Sequence, residues 1–235
     1  MRCDILIVVV YILRYEAKRA KPFEEGPMNK KQKKGFYEKF IKVPQDVLLA
    51  SVALIALSPV LLALAIIVRV KLGAPVIFKQ ERAGKNGKPF YMYKFRSMSD
   101  ARDADGNLLP DEERLGRFGA LLRSTSLDEL PSLWNVVTGK ISLVGPRCLY
   151  MKYNERYSAE QARRLEVRPG ITGLAQVNGR NAISWEKRFT YDVEYVDNIT
   201  FLGDWKIMFQ TVFTVLKRDG ISSETSVTME EFMGS

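Results

Sequence analysis

Two adjacent carboxylates, Asp128 and Glu129, lie in the stretch STSLDELP at residues 124–131. Ser126 and Glu129 have the S-x-x-E spacing of a capping box, which predicts a helix that begins near Ser126. In its first turn, free backbone N–H groups and the helix dipole would keep Asp128 ionised and attract a phosphate. An ionised Asp can attack phosphorus to form an acyl phosphate. The pair therefore has two interpretations, a helix cap or a site of phosphoryl transfer.

Several cations could offset these acids and a bound phosphate. Neighbouring carboxylates repel each other, so a divalent metal or arginines must neutralise the site. The planar guanidinium of arginine pairs with phosphate oxygens in a bidentate manner. Lysine and arginine follow a predicted strand in YKFRSM, and an arginine precedes the Pro-Gly turn of VRPGITG. Further arginines occur in LLRSTS, VGPRC and VNGR. The candidates are Lys94, Arg96, Arg123, Arg147, Arg168 and Arg180.

The composition limits the chemistry further. The chain has 235 residues, 46% of them hydrophobic, so it can bury a substantial core. Its 36 basic and 27 acidic residues give a formal charge of +9, which favours an anionic partner: nucleic acid, phospholipid or a phosphorylated substrate. The sequence has no histidine, which excludes a Ser-His-Asp triad and a His-liganded metal. Cys3 and Cys148 lack metal-ligand spacing and do not indicate a disulfide framework.

Residues 47–68, VLLASVALIALSPVLLALAIIV, form an uncharged apolar segment. At about 1.5 Å per residue it is long enough to cross a hydrocarbon layer of about 30 Å. Pro59 removes a backbone hydrogen bond at its middle, so we expect a kink at Ser58-Pro59 in which Ser58 satisfies a freed carbonyl. Positive charge flanks both ends, which conflicts with a simple span. A re-entrant helix is therefore favoured over a spanning helix or a buried helix of a soluble protein.

The remaining sequence predicts a helix-rich domain with a small β-hairpin. Two β-rich runs meet at Asn86-Gly87, a hairpin turn signal. Residues 99–114 are acidic and turn-rich, and we expect a solvated loop there. A late helical run, DWKIMFQTVFTVLKR, has one broad apolar face, for which core packing is favoured over a membrane-interface helix. That face consists of Trp205, Met208, Phe209, Val212, Phe213 and Leu216.

Taken in order, these motifs resemble the small monotopic phosphoglycosyl transferases, a family of bacterial sugar transferases that starts glycan assembly on polyprenyl phosphate. The resemblance runs from about residue 36 to residue 232. The sequence is most similar to the branch that transfers N,N'-diacetylbacillosamine 1-phosphate. The similarity to that branch rests on DADGNLLPDEERL and NGRNAISWEKRF. The motifs that carry the family resemblance are Ser58-Pro59, PVIFKQER, YKFRSM, RSTSLDELPSLWNV, GKISLVGPR, RPGITGLAQVNGR and DVEYVDNITFLGDWKIM.

The resemblance implies a fold class, α+β and helix-rich, in which a monotopic membrane protein carries an N-terminal re-entrant kinked hydrophobic helix. It also implies four regions: an N-terminal extension at 1–35, a basic juxtamembrane and re-entrant helix at 36–72, a catalytic domain at 73–220 and a tail at 221–235. Met28 opens a more natural start, MNKKQKKGFYEKF, so we hypothesise that residues 1–27 are dispensable. N-terminal sequencing that finds Met1 in the native protein would refute this.

The resemblance further implies an enzyme on the cytoplasmic face of the bacterial cell membrane. It would move a phosphosugar from a UDP-sugar, N-acetylated in the most similar branch, to undecaprenyl phosphate with Mg2+ and release UMP. Asp128 would be the nucleophile and a metal ligand, and Glu129 would help to place the metal or the acceptor. Arg123 and Arg180 match phosphate-binding positions, and Arg147 would neutralise the donor diphosphate. The expected partners are the two substrates and membrane lipids, without nucleic acid, and a homodimer is left open.

Departures from the family pattern concern uncharged positions. Ala83 and Cys148 stand where the family often has proline, and Leu174 stands where it often has tryptophan. Two alternatives remain open. One is an enzyme that transfers the phosphosugar directly in a ternary complex, with Asp128 only a metal ligand. The other is a non-catalytic basic membrane-surface module that binds anionic lipid or nucleic acid, in which the acids are helix caps.

Overall fold

A computed structural model describes residues 35–179, 183–217 and 231–234. The hypotheses on residues 1–27 and on Arg180 lie outside these ranges. The helices are α1 (Lys42–Ala56), α2 (Ser58–Leu72), α3 (Asp111–Arg114), α4 (Arg117–Ser124), α5 (Leu133–Val137), α6 (Ala159–Ala162), α7 (Leu174–Val177), α8 (Trp185–Asp197) and α9 (Phe201–Lys217). The strands are β1 (Ile77–Ala83), β2 (Pro89–Phe95), β3 (Ser142–Val144) and β4 (Gly170–Thr172). A π-helical turn leads into α1, and 3₁₀ turns cover Lys85–Gly87, Leu127–Ser132, Met151–Arg156 and Arg163–Leu165. The prediction of a helix-rich α+β fold with a small hairpin is confirmed.

The apolar segment forms two helices that meet at a bend of 64°. Pro59 has no N–H to donate to the carbonyl of Ile55 four residues earlier, and the Ser58 hydroxyl donates to that carbonyl instead, at 2.8 Å. The predicted kink and the predicted role of Ser58 are both confirmed. Within the described residues no single helix is long and apolar enough to cross a membrane, whereas the bent pair passes by length and composition when its arms are taken together.

The β1–β2 hairpin is antiparallel and pairs Ile77 with Phe95 at its open end. Its turn contains Asn86 at φ 56° and Gly87 at φ 68°, the left-handed conformations that an Asn-Gly turn supplies at little steric cost. The predicted hairpin is therefore confirmed. Two of its buried side chains, Phe90 and Met92, pack against α1 and α5.

The strands β3 and β4 pair in parallel through Ser142 with Gly170 and Val144 with Thr172. The backbones approach closely where Gly170 at the start of β4 meets Gly145, the residue after β3. A Cβ on Gly170 would lie 2.1 Å from the Gly145 nitrogen. Only glycine fits this contact. The pairing brings the loop that carries Arg147 beside Arg168 and Pro169, which lead into β4.

A buried polar network joins the N-terminal helix to the rest of the fold. The Lys42 ammonium on α1 forms an ion pair with Asp204 on α9, and both side chains are almost fully buried. The hydroxyls of Tyr37 and Tyr195 each lie 2.8 Å from a carboxylate oxygen of Asp204. Asp46 on α1 accepts a hydrogen bond from Ser142 on β3. The direction in which α1 leaves the domain is thus fixed by polar contacts as well as by apolar packing.

Helix α9 leaves most of its apolar face uncovered. Phe209 is 59% exposed and Phe213 is 64% exposed, whereas Ile207 on the opposite side is buried against Val144 and Tyr195. The preference for core packing is therefore wrong for Phe209 and Phe213. The apolar repeat predicted the helix correctly, but the described residues provide no layer that covers this side.

Candidate active site

A cavity of about 910 Å³ opens between the hairpin, α4, the turn at Leu127–Ser132, the β3–β4 loops and α8. Its size lies within the range of small-molecule sites in proteins. Seven cationic and five acidic side chains line it, so an anionic ligand would be attracted. These side chains are Arg82, Lys94, Arg96, Arg114, Arg123, Arg147 and Arg188, together with Asp100, Asp111, Asp128, Glu129 and Asp192.

The turn that carries Asp128 is a 3₁₀ helix, Leu127–Ser132, rather than the start of an α-helix. Pro131 lacks an N–H group and disfavours the α conformation in the residue before it, which accounts for the tighter turn. The predicted capping box is wrong, because Ser126 has left-handed backbone angles and its side chain makes no capping hydrogen bond. The N–H of Glu129 bonds to the backbone carbonyl of Ser126 instead, at 3.2 Å. This turn leaves Asp128 buried in the wall of the cavity.

Glu129 is held by two cations instead of capping the turn. Its Oε1 accepts hydrogen bonds from Lys94 Nζ at 2.7 Å and from Arg147 Nη2 at 2.6 Å. Burial raises the pKa of Glu129, but the charges and hydrogen bonds of Arg147 and Lys94 outweigh burial and hold the pKa well below its usual range. Glu129 is therefore a permanent anion that links the end of β2 to the loop after β3. It cannot act as a proton-transfer group near neutral pH.

Asp128 has the opposite electrostatic environment. Asp128 is only 7% exposed, and burial raises the pKa of its carboxyl from 3.8 to about 6. Lys94, Arg123 and Arg147 lower the pKa, while the neighbouring Glu129 charge raises it. Burial rather than the helix terminus therefore dominates the pKa of Asp128, and its carboxyl is mostly ionised only above about pH 6. Above about pH 6 the carboxyl is ionised, and because it is buried the carboxylate is poorly solvated, which suits a nucleophile.

The two arginines whose charges act on Asp128 are fixed by different elements. Arg123 lies in the last turn of α4, and its Nε donates to the Ser97 hydroxyl at 3.0 Å. Arg147 follows β3, where its backbone pairs with Gly170 and its carbonyl accepts a bond of 2.6 Å from Arg164 Nη2. Both guanidinium groups are thereby placed on the cavity wall.

The remaining predicted cations divide into two groups. Arg96 lines the cavity, and its Nη1 bonds to the Ala74 carbonyl at 3.0 Å and to Asp100 at 2.7 Å. Arg168 does not line the cavity; its guanidinium lies near Gly139, and its charge acts on Asp46. Six of the predicted site residues thus come together: Lys94, Arg96, Arg123, Asp128, Glu129 and Arg147.

One wall of the site is formed by α8, whose side chains were not among the predicted site residues. Trp185, Arg188 and Asp192 recur at helical spacing and all line the cavity. The Arg188 guanidinium lies 5.0 Å from the Trp185 ring centroid. Burial lowers the pKa of Arg188 to about 10, and the nearby Arg147 and Arg164 charges add to the effect. The signal was the spacing W-x-x-R-x-x-x-D, but ordinary amphipathic helices show the same pattern.

The donor set bears on the expected Mg2+. The described residues contain no group of three or more His, Cys, Asp or Glu side chains that could hold a metal ion. Mg2+ is commonly bound by one or two carboxylates together with substrate phosphates and water. Asp128 could serve as such a ligand, since Glu129 is engaged by Lys94 and Arg147. The residues therefore fit an ion held jointly by Asp128 and a phosphorylated substrate, rather than a protein cage.

Comparison with known proteins gives a consistent result. The family model described as "Bacterial sugar transferase" matches residues 37–218. The chain is 56% identical over 189 residues to the uncharacterized sugar transferase EpsL of Bacillus subtilis, covering 80% of this chain and 94% of that protein. It is 41% identical over 179 residues to the UDP-glucose:undecaprenyl-phosphate glucose-1-phosphate transferase of Klebsiella pneumoniae, covering 72% of this chain and 38% of that protein.

A third relative has a different sugar in its name. The undecaprenyl-phosphate galactose phosphotransferase of Salmonella typhimurium is 37% identical over 199 residues, covering 77% of this chain and 42% of that protein. The chain therefore spans nearly the whole of EpsL but about two fifths of the two phosphotransferases with named sugars.

Proposed function

The chain belongs to the bacterial sugar transferase family, and on that premise we propose that it transfers a sugar 1-phosphate from a UDP-sugar to undecaprenyl phosphate and so initiates glycan assembly. The observation that carries the proposal is the buried carboxylate of Asp128 in a cavity lined by seven cationic side chains. A diphosphate would satisfy that excess of positive charge and would bring phosphorus to Asp128. Relatives named for this reaction support the substrate classes.

The chemistry that we propose for Asp128 is covalent. A carboxylate oxygen forms a bond to the sugar-linked phosphorus, the bond from that phosphorus to the bridging oxygen breaks, and UMP leaves with the electron pair. An oxygen of undecaprenyl phosphate then bonds to the same phosphorus and releases the Asp128 carboxylate. Charge balances in both steps without a proton transfer when both nucleophiles are ionised. The reaction therefore needs no general base, in keeping with a sequence without histidine.

The surrounding residues have separate roles in this proposal. Arg123 and Arg147 bind phosphate oxygens. Glu129, which is itself bound by Lys94, holds Arg147 in place. Mg2+ bound by Asp128 and the diphosphate would neutralise part of the phosphate charge. Arg180 is retained as a phosphate-binding residue from the family resemblance.

The membrane arrangement is also a proposal. The bend of 64° at Ser58-Pro59, with its freed carbonyl satisfied, supports a re-entrant helix that keeps the catalytic domain on the cytoplasmic face. A lipid phosphate and a water-soluble nucleotide sugar would then meet at the level of the headgroups. The uncovered apolar side of α9 is of the kind that lies in such an interface.

The decisive test is the fate of the phosphosugar when no lipid acceptor is present. Incubation of the purified protein with a UDP-sugar should release about one equivalent of UMP per protein and leave the phosphosugar on Asp128, as detected by intact-protein mass spectrometry. The Asp128→Asn variant should release none. UMP release that requires the lipid acceptor would favour direct transfer in a ternary complex.

The sugar is tested with a panel of donors. We propose an N-acetylated sugar on the family resemblance alone, whereas two relatives are named for glucose and galactose. UMP release should therefore be compared for UDP-glucose, UDP-galactose, UDP-N-acetylglucosamine and UDP-N,N'-diacetylbacillosamine. The alternative of a non-catalytic basic membrane module predicts salt-sensitive binding and no UMP from any of them.

A further inference from the structure

A short C-terminal segment, residues 231–234, lies against the outside of the cavity wall. Its Phe232 is 3% exposed, although both neighbouring side chains are exposed. The ring is enclosed by four other aromatic rings from the Met151–Arg156 turn, the chain that follows it, and α8. Centroid distances are 5.0 Å to Phe189, 5.6 Å to Trp185, 5.8 Å to Tyr153 and 6.0 Å to Tyr157.

Polar contacts fix the backbone of the same segment. Glu231 forms ion pairs with Lys152 at 2.6 Å and with Arg156 at 2.8 Å. The Phe232 carbonyl accepts a hydrogen bond from Arg156, and the Phe232 N–H donates to the Tyr153 hydroxyl at 3.4 Å. Because the ion pairs are partly exposed, they contribute little individually. Burial of the Phe232 ring is therefore the main attraction, and the polar contacts set its orientation.

Two of the rings that enclose Phe232 belong to the active site. Tyr153 and Trp185 both line the cavity that contains Asp128. Trp185 also packs beside Arg188, whose guanidinium lies 5.0 Å from its ring centroid. Phe232 thus contacts, from behind, the aromatic wall that a ligand in the cavity would meet from the front. A shift of this ring would move the wall without changing any residue inside the cavity.

We propose that Phe232 is a positioning residue, held by the 231–234 segment, that fixes Tyr153 and Trp185 as the aromatic wall of the donor-binding site. The family match ends at residue 218, so this support lies outside the region that the chain shares with the family model. Aromatic faces bind flat bases and sugar rings by stacking, and a fixed wall lowers the entropic cost of that binding. The proposal rests on the proposed function, because the wall has a donor to bind only if the substrate is a UDP-sugar.

The kinetic test compares Phe232→Ala with the adjacent control Met233→Ala, whose side chain is 76% exposed. Phe232→Ala should raise KM for the UDP-sugar about tenfold, the scale of one lost aromatic contact, and should change kcat by less than about twofold. Phe232→Leu should recover part of the KM, and Met233→Ala should match the wild type. Assays are run at a temperature at which all the variants are folded. An unchanged KM, with or without a loss of kcat, would overturn the proposal.

A second measurement needs no turnover. The sequence has three tryptophans, so a Trp134→Phe/Trp205→Phe background leaves Trp185 as the sole tryptophan, which is excited selectively at wavelengths where tyrosine does not absorb. In that background, Phe232→Ala should raise the acrylamide quenching constant of Trp185 at least about twofold, because the ring that shields it is gone. Unchanged quenching would refute the positioning role alone. Failure of the wild type to release UMP from any UDP-sugar would instead refute the proposed function, whatever the quenching result.

Discussion

At the scale of single residues, the buried Asp128 costs the protein stability at neutral pH. Burial raises the pKa of its carboxyl from 3.8 to about 6, so the folded protein holds the proton more tightly than the unfolded chain does. Stability from this group is therefore complete below about pH 3.8 and is lost as the pH rises through 6. At neutral pH the ionised carboxylate costs about 3 kcal/mol. A residue kept at such a cost is typical of active sites.

The first prediction follows from that cost. Asp128→Asn should raise the free energy of unfolding at pH 7.5 by up to about 3 kcal/mol, and the gain should shrink as the pH falls toward 4. Thermal unfolding of both proteins across this pH range measures it. A control at the exposed Asp105, which lies in the loop before α3, should show no such trend. A gain of equal size at pH 4 and pH 7.5 would contradict the raised pKa of Asp128.

The second prediction concerns the pH dependence of the reaction. Since the carboxylate of Asp128 is the proposed nucleophile, kcat/KM for the UDP-sugar should rise with pH through an inflection near 6 and then level off. Glu129 should contribute no inflection, because Arg147 and Lys94 keep its pKa well below the usual range. The measurement is UMP release at limiting donor between pH 5 and 8. A flat profile over this range would show that Asp128 is already ionised.

At the scale of secondary structure, Pro59 bends the apolar segment and one hydrogen bond satisfies the carbonyl that it frees. The Ser58 hydroxyl satisfies the Ile55 carbonyl that Pro59 cannot reach. In a lipid bilayer, Ser58→Ala should lower stability by about 1 kcal/mol when Pro59 is present and by much less in a Pro59→Ala background, where the new N–H takes over. Unfolding in nanodiscs measures this coupling. No coupling would place the carbonyl in contact with water.

A fourth prediction tests the network between α1 and the domain. Lys42→Met would leave the buried Asp204 carboxylate without its cationic partner and should destabilise the protein by about 3 to 5 kcal/mol. The double variant Lys42→Met/Asp204→Asn should recover part of that loss. The nearby exposed Lys39 provides the control, because Lys39→Met should change stability by less than about 0.5 kcal/mol. Equal effects of the two single variants would show that the buried pair has no special role.

At the scale of the whole molecule, net charge and uncovered apolar surface act together. The chain carries a formal charge of +9, and apolar side chains on α1, α2 and α9 are largely exposed. The protein should therefore bind vesicles that contain anionic lipid and should stay bound at about 1 M NaCl, where electrostatic attraction is screened within about 3 Å. Sedimentation with vesicles measures this. Release by salt would indicate binding by charge alone, as in the non-catalytic alternative.

Local residue types determined much of this protein. The Ser-Pro bend and the Asn-Gly hairpin followed from the sequence, because each depends on backbone chemistry. Six of the eight candidate site residues, chosen for the charge that each carries wherever it lies, line one cavity. The predictions that proved wrong needed neighbours. Glu129 fits a capping box by spacing, but Lys94 and Arg147, which are distant in sequence, bind its carboxylate in the folded protein.

Only the tertiary structure decided the environment of each group. Burial raised the pKa of Asp128, the fold placed Arg147 on the cavity wall but the Arg168 guanidinium near Gly139, and the packing of α8 added Arg188 to the cavity. The aromatic support from Phe232 is also a tertiary feature, since no sequence pattern links residue 232 to residues 153 and 185. Desolvation and long-range contacts depend on which distant segments share a space. The sequence determined which groups could react, and the fold determined which of them meet at the site.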